Sequence, residues 1–490
     1  MGGLSKRTAA VQAILNSRQK ASEQSTAVAS ENDLIAWLDS HINLEATAGK
    51  VTGLSLERMF ELAAMLGDPH KSYPTIHITG TNGKGSTAYL ITRLLLGQGL
   101  SVGTYSSPHV ERVNERLCLN SQPIPDEALQ EVLSVLRHAE DHAISQGQEP
   151  FSWFELLTAA AFWWFADEAV DVAVIEVGKL GRYDATNVID SDIAVVTNVS
   201  EDHTDGRGSW REAIAWEKAG IISPKDILVL GDWEESELLE DIFLAEKPAA
   251  ALKLGRDATL VSNELAVGGR LLEIATPKSS YSDLFLSLNG AHQGENAALA
   301  LLVAETFFDT PLSEEVVEEA FATAALPARL EVLGHGPLVV FDGAHNPRGA
   351  QVAAQTVRHD FNVAGEKVLL VGMTQGHNHE LSLAVLLGEL EAMLEDEAFK
   401  DPQSPIQVVC CTAPSPRGIP ADELALGIRR LGYEPLVCSE IELALEQAIQ
   451  LAESDGLVFI TGSLYVAGAA RQAYKQTSHR PLASQQKGET

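Results

Sequence analysis

At 490 residues the chain is longer than one hydrophobic core ordinarily serves, so two or three domains are expected. Apolar residues make up 45%, ample for buried cores, while 68 acidic against 35 basic side chains leave a formal net charge of -33. That balance speaks against nucleic acid or an anionic membrane as partner, and any polyanionic substrate must be met by local positive sites.

The chain opens on a polar stretch, residues 1–32, without an apolar signal core, and a flexible leader is expected there. No segment reaches the roughly 18 uninterrupted apolar residues of a membrane span. Four cysteines, Cys118, Cys410, Cys411 and Cys438, show no C-x-x-C spacing. They read as free thiols of a reducing, cytoplasmic compartment.

From residue 33 short β-branched runs alternate with helical stretches: YPTIHITG, DVAVIEVG, DIAVVTNVS and DILVLG against STAYLITRLLLGQG and FELLTAAAFWWFADEA. This alternation predicts an α/β domain with a mostly parallel sheet, whose ligands gather at the carboxyl ends of the strands. Around 257–289 the period shifts toward two, predicting a small antiparallel section, and a helix follows at ENAALALLVAETFF. A second series begins after LPARLEVLG, with PLVVFDG, KVLLVGM, IQVVCCT, PLVCS and GLVFITG each leading into a helical stretch. The expected domains are therefore 33–326 and 327–476, with a disordered tail over 477–490.

HITGTNGKGSTAYL, residues 77–90, ends a strand, turns on glycines and opens a helix, which is the setting a phosphate-binding loop requires. It departs from the strict G-x-x-x-x-G-K-[ST] spelling, with Ile78 at the first glycine and Gly85 between Lys84 and Ser86. A glycine-rich turn alone is common; a lysine and two hydroxyls in the same turn favour an anion site, with Lys84 on the β- and γ-phosphates and Ser86 or Thr87 facing a metal. The other strand ends offer Glu176, after DVAVI, and Asp202 with His203, after DIAVVTNVSE. One carboxylate with phosphate oxygens and retained waters is sufficient for magnesium. Lys218 follows Trp210 and Ile214 at a spacing of four, which puts it on the apolar face of its helix. A snorkelling lysine is the ordinary reading of that position; a modified or charge-paired amine beside a metal is the sharper one.

In order along the chain, GTNGKGST, TYSSPHVERVNER, FELLTAAAFWWFA, EVGKLGRYDATNV, DHT, EKAGI, HQGENAALAL, LPARLEV, DGAHNP and TGSLY resemble the folylpolyglutamate synthase and dihydrofolate synthase family of the Mur ligase superfamily over about residues 33–475. The resemblance implies an N-terminal P-loop ATPase domain and a C-terminal Rossmann-like domain. It implies a phosphate loop of Gly80, Thr81, Asn82, Gly83, Lys84, Gly85, Ser86 and Thr87, with Lys84 on phosphate. Ser107 and Glu176 would hold a first magnesium ion and His203 a second, with Lys218 carbamylated. Gln293 and Asn296 would lie near the nucleotide, and Arg329 would reach its phosphates. Asp342 and His345 would approach ATP and the reacting centre from the second domain, and Ser463 would lie near a glutamate pocket. The implied reaction is ATP-dependent addition of L-glutamate to dihydropteroate or a reduced folate through an acyl phosphate; composition and charge add the expectation of a cytoplasmic enzyme without nucleic-acid or membrane partners, and a monomer is taken as the default.

Three stretches depart from that family's usual spelling. Lys179 and Leu180 stand where E-V-G-L-G-G-R is usual, QGHNHE over 375–380 replaces a usual D-K-D, and the loop after DHT reads DGRGSW. A peptidoglycan Mur ligase would share the loop, acid and lysine, and a P-loop kinase or ATPase would share the loop alone. A non-catalytic relative would bind ATP without turnover.

Overall fold

The computed structural model describes residues 31–43, 55–201, 208–361, 363–376, 378–395 and 406–478. The expected leader lies outside them except for its last two residues, where a helix over Glu31–Asp39 begins, and of the expected tail only Thr477 and Ser478 are described, closing the last helix. Asp202 and His203 also lie outside the described residues. Two compact units are formed, one by the chain up to Ser287 with Ala291–Ala325, the other by Leu288–Gly290 with the chain from Leu326 onward.

In the first unit β1 (Thr75–Thr79) leads through the glycine turn into α1 (Lys84–Gly97). It continues through β2 (Val102–Tyr105), β3 (Leu117–Leu119), β4 (Gln122–Pro123), α2 (Trp153–Asp167), β5 (Val172–Glu176), β6 (Ile193–Val196), α3 (Trp210–Ala219), β7 (Ile227–Leu230) and β8 (Ala250–Lys253). Among the described residues these strands form one sheet in the order β4-β3-β2-β5-β1-β6-β7-β8, parallel from β2 to β8 with an antiparallel edge at β3 and β4. Every residue of β1, β5 and β6 is buried, as continuous apolar runs covered on both faces must be. Helix α2 is buried on nearly all sides and starts at a reciprocal cap, Ser152 Oγ accepting the Glu155 N–H and Glu155 Oε2 accepting the Ser152 N–H.

The period-two region forms an antiparallel sheet of β9 (Thr259–Ala266), β10 (Gly269–Ala275) and β11 (Ser280–Leu286). Helix α4 (Ala291–Phe308) follows and packs on α1. The central place of β1, between β5 and β6, is what matters for function. It sets Glu176 opposite Ile78 in register and brings the end of β6 beside the glycine turn.

The second unit holds β12 (Glu331–His335), β13 (Leu338–Phe341), α5 (Pro347–Asp360), β14 (Lys367–Val371), α6 (His379–Glu395), β15 (Gln407–Cys410), β16 (Leu436–Val437), β17 (Leu457–Thr461) and α7 (Leu464–Ser478). Its sheet runs β12-β13-β17-β14-β15-β16, parallel except at the β12–β13 hairpin, with apolar clusters on both faces. The cysteines are free, and burial pushes Cys118 and Cys411 up to about 12 and Cys410 up to about 11, so these thiols supply no nucleophile. Among the described residues no helix is long and apolar enough to cross a membrane.

Candidate active site

The glycine turn is a strapped cradle. Thr81 N–H donates to Asn198 O at 3.0 Å, Asn82 N–H to Asn198 Oδ1 at 3.0 Å, and Asn82 O accepts from Thr197 Oγ1 at 2.6 Å and Asn198 Nδ2 at 2.9 Å. Asn82 Nδ2 reaches Ser200 Oγ at 3.0 Å, and Ser200 N–H donates to Thr81 Oγ1 at 3.1 Å. The polar run that follows β6 thus holds the turn's shape from outside. Gly83, at φ 81°, caps α1 in the left-handed region, and Lys84 and Gly85 open the helix. An N-terminus at the end of a buried strand, with Lys84 in its first turn, is suited to bind phosphate.

Behind the turn lies a closed polar set. Thr87 Oγ1 donates to Asn296 Oδ1 at 3.4 Å, and Asn296 Nδ2 donates to Gln293 Oε1 at 3.0 Å. Gln293 is fully buried and its Nε2 has no partner among the described residues, a donor left for something else. Ser86 and Thr87 are buried as well.

Glu176 is 3% exposed, and its Oε2 accepts the Ser107 N–H at 3.1 Å. A methyl built on Gly85 would stand 3.4 Å from the same oxygen, so the carboxylate lies against the first turn of α1. The donor set fits magnesium: a hard oxygen beside a phosphate cradle, with the Ser107 residue already in contact. Among the described residues no three of His, Cys, Asp and Glu converge, and Asp202 and His203 lie outside them.

Lys218 is 3% exposed on the face of α3 that also buries Ile214, as its spacing predicts. It lines one small pocket with Gly80, Thr81, Lys84, Gly178, Lys179, Leu180 and Ile214. The loop after β5 is fixed by Asp184, which accepts the Lys179 N–H at 2.8 Å, the Thr186 N–H at 3.0 Å and the Thr186 hydroxyl at 2.6 Å. Burial raises the Asp184 carboxyl despite those donors. Since Thr186 spends its proton on Asp184, it accepts from His77 Nε2 at 2.9 Å, and His77 is held neutral by burial, its pKa lowered to about 3.

In the second unit, Asp342 is buried at the end of β13, with Oδ2 accepting the Leu330 N–H at 3.0 Å and Oδ1 the Ala344 N–H at 2.8 Å. Burial raises its carboxyl, and Arg329 opposes that rise. His345 Nδ1 donates to Gly343 O at 2.9 Å, which orients the ring. Asn346 caps α5, its Oδ1 accepting the Gly349 N–H at 2.8 Å, with Pro347 in the first turn. Ser463 is buried and its Oγ accepts the Val466 N–H at 3.2 Å, a cap for α7. Of the QGHNHE departure, Asn378 opens α6, its carbonyl accepting Ser382 Oγ at 2.8 Å, and Gln375 N–H donates to Arg417 O at 2.8 Å.

Comparison with known proteins joins the two units to one lineage. Residues 151–304 match the Mur ligase middle domain and residues 328–464 the Mur ligase glutamate ligase domain. The dihydrofolate synthase/folylpolyglutamate synthase of Mycobacterium tuberculosis is 34% identical over 455 residues, 86% of this chain and 90% of that protein. This chain belongs to that family of Mur ligases. A structure of the Mycobacterium tuberculosis folylpolyglutamate synthase with ADP superposes with a TM-score of 0.82 at 32% identity, covering 92% of this chain and 98% of that one. An Escherichia coli structure with DHPP and ADP gives 0.76 at 28% identity, covering 91% and 98%.

The two-domain α/β Mur ligase architecture is as the sequence predicts. Within the first unit of this ligase, the turn from Gly80 to Thr87, Ser107, Glu176, Lys218, Gln293 and Asn296 are brought together. Arg329, Asp342 and His345 are assembled within the second, with Ser463 at the neighbouring strand end. Sequence reading missed Thr197, Asn198 and Ser200. Their signal was a polar TNVS directly after an apolar strand, there read only for the acids that follow it.

Proposed function

We propose that this Mur ligase joins L-glutamate to a folate-type carboxylate, dihydropteroate or a reduced folate, at the expense of ATP. The observation that carries the reading is the buried Glu176 set against the first turn of α1, at a phosphate cradle already strapped in place. Its family and the ADP carried by a related structure support the nucleotide. In this reading residues 33–326 form the ATP-binding domain and 327–476 the ligase domain.

A carboxylate is a poor electrophile, so one of its oxygens first attacks the γ-phosphorus, the bond to ADP breaks, and an acyl phosphate forms. The glutamate amine then attacks the acyl carbon, the bond to phosphate breaks, and loss of a proton leaves an amide. Lys84 and the N–H groups of the cradle offset charge on the transferred phosphoryl group, and Gln293 and Asn296 line the nucleotide. Magnesium, held by Glu176 and Ser107 with His203 for a second ion, would supply further positive charge on the phosphates. Arg329 adds a cation to the phosphates, and Asp342 and His345 approach ATP and the reacting centre. Lys218 acts as a carbamate, and Ser463 lies at the glutamate pocket. The cytoplasmic assignment rests on composition and cysteine usage, and a monomer is taken as the default.

Purified protein given ATP, magnesium and glutamate, with dihydropteroate and tetrahydrofolate offered separately, tests the reading by product mass. Each accepted acceptor gains one or more glutamyl masses with matching ADP release. ADP release independent of glutamate, or none with either acceptor, would remove it.

A further inference from the structure

Arg329 is flanked by two buried residues, Ala328 at φ 53° and Leu330 at φ 50°, both in the left-handed region that only glycine occupies without strain. Such a backbone persists only where its surroundings over-determine it. Leu330 N–H is held by Asp342 Oδ2 at 3.0 Å, and Ala328 O by Gly343 N–H at 3.0 Å. Leu330 O accepts from Asn289 Nδ2 at 2.9 Å, and Ala328 N–H donates to Glu331 Oε2 at 2.9 Å. Glu331 is itself gripped from α7: Arg471 Nε donates to Oε2 at 2.7 Å and Nη2 to Oε1 at 2.9 Å, a bidentate pair 13% and 17% exposed.

The two guanidinium groups of this neighbourhood are thus used differently. Arg471 is spent on Glu331, whereas Arg329 makes no ion pair among the described residues and donates only to its neighbour's carbonyl, Ala328 O, at 3.2 Å. Its Nη1 would lie 2.7 Å from a methyl on Gly343, so the guanidinium rests on the one residue that leaves it room. A cation that feels the Asp342 carboxylate without a direct ion pair, on a backbone held by four separate contacts, is arranged to be presented to an anion.

We propose that the Glu331–Arg471 pair is a positioning device for Arg329: Arg471 orients Glu331, Glu331 holds Ala328 N–H, and the strained turn sets the Arg329 guanidinium. The proposal rests on the reading of Arg329 as a cation for the nucleotide phosphates.

Steady-state kinetics and urea unfolding of Arg329→Ala, Arg471→Met, Arg471→Lys and the reversed pair Glu331→Arg/Arg471→Glu test it. Arg329→Ala is expected to raise KM for ATP by about tenfold. Arg471→Met should raise it in the same direction with little change in KM for glutamate, and Arg471→Lys should recover part. Arg471→Met added to Arg329→Ala should cause no further rise, since both act through one group. The reversed pair keeps the ion pair but leaves Ala328 N–H facing a residue that cannot accept, so stability recovers while KM stays raised.

Arg329→Ala with a parental KM would remove the reading of Arg329 itself. An effect of Arg329→Ala without one of Arg471→Met, effects that multiply in the double variant, or a reversed pair that restores KM would each overturn the positioning role while leaving Arg329 in place.

Discussion

A methyl group on Gly80 would strike the phosphate cradle at its strap. The added Cβ falls 1.8 Å from Thr197 Oγ1 and 3.0 Å from Thr197 Cβ, at a φ of +150° that L side chains rarely adopt. Thr197 has little freedom to yield, because its hydroxyl donates to Asn82 O at 2.6 Å and its N–H to Thr79 O at 2.9 Å. Turning the hydroxyl away forfeits a hydrogen bond worth about 1 kcal/mol net; Asn82 O keeps Asn198 Nδ2, so no larger orphan penalty is added. Backbone strain contributes about 1–3 kcal/mol more, for a total of roughly 2–4 kcal/mol. Gly80→Ala should therefore lower the urea midpoint and weaken ADP binding at least about tenfold in calorimetric titration, because the displaced turn misdirects its N–H groups. Thr197→Ala alone removes the strap and costs about 1 kcal/mol, but it also removes the oxygen in the way. Combined with Gly80→Ala it should show a favourable coupling of about 1 kcal/mol or more. A Gly80→Ala protein with parental ADP affinity and urea midpoint, or a strictly additive double variant, would refute this account of the cradle.

Lys84→Ala should lower ligation by about 10²–10³-fold with an unchanged circular dichroism spectrum, the loss of one electrostatic contact to the transferred group; near-normal turnover would end the phosphate assignment. Glu176→Gln should shift the magnesium dependence of the rate to higher concentration, and a titration that overlays the parent would leave Glu176 a structural acid. Lys218→Arg should be as inactive as Lys218→Ala, with acetate restoring part of the alanine variant only, since arginine keeps the charge but forms no carbamate; a fully active arginine variant would remove the carbamate. His77 sits at about 3 in the fold against 6.5 for the free side chain, so the unfolded chain binds the extra proton and stability is full above pH 6.5. It should fall by about 1.4 kcal/mol per unit as pH drops from 6.5 toward 3, and His77→Gln should flatten that slope in urea unfolding; an identical slope would refute it.

Patterns set by local periodicity were legible in the sequence. The parallel strands could be read because burial on both faces leaves continuous apolar runs, and Lys218 because a helix places every fourth residue on one face. Long-range polar pairings left no such trace. Thr197 meets Asn82 across 115 positions and Arg471 meets Glu331 across 140, and no spacing in either segment announces its partner. Leu288–Gly290 joins the second unit although nothing in its composition differs from the loop around it. Ser463 did leave a local trace: a Gly-Ser before a helix is a capping signal, and the hydroxyl accepts the Val466 N–H.

At the Lys179–Leu180 departure the loop carries a residue with a side chain where its backbone favours glycine. Leu180 adopts φ +62°, a cost of about 1–2 kcal/mol for a residue with a side chain. Its carbonyl accepts Thr79 Oγ1 at 2.5 Å, and its side chain packs against the apolar cluster that contains Val177, Ile214 and Ile221. Half-burying a leucine returns about 1 kcal/mol, so the exchange nearly balances. Gly181 is different: a methyl there would lie 2.8 Å from Glu217 O and 3.2 Å from Lys218 Cα, so this glycine is required for space rather than for handedness. Lys179 N–H is fixed on Asp184, Gly181 is pressed on α3, and Lys179 and Leu180 both line the pocket. Lys179 thus stands beside Lys84 at this pocket in a chain of net charge -33, local positive charge of the kind a polyanionic ligand requires of so acidic a protein.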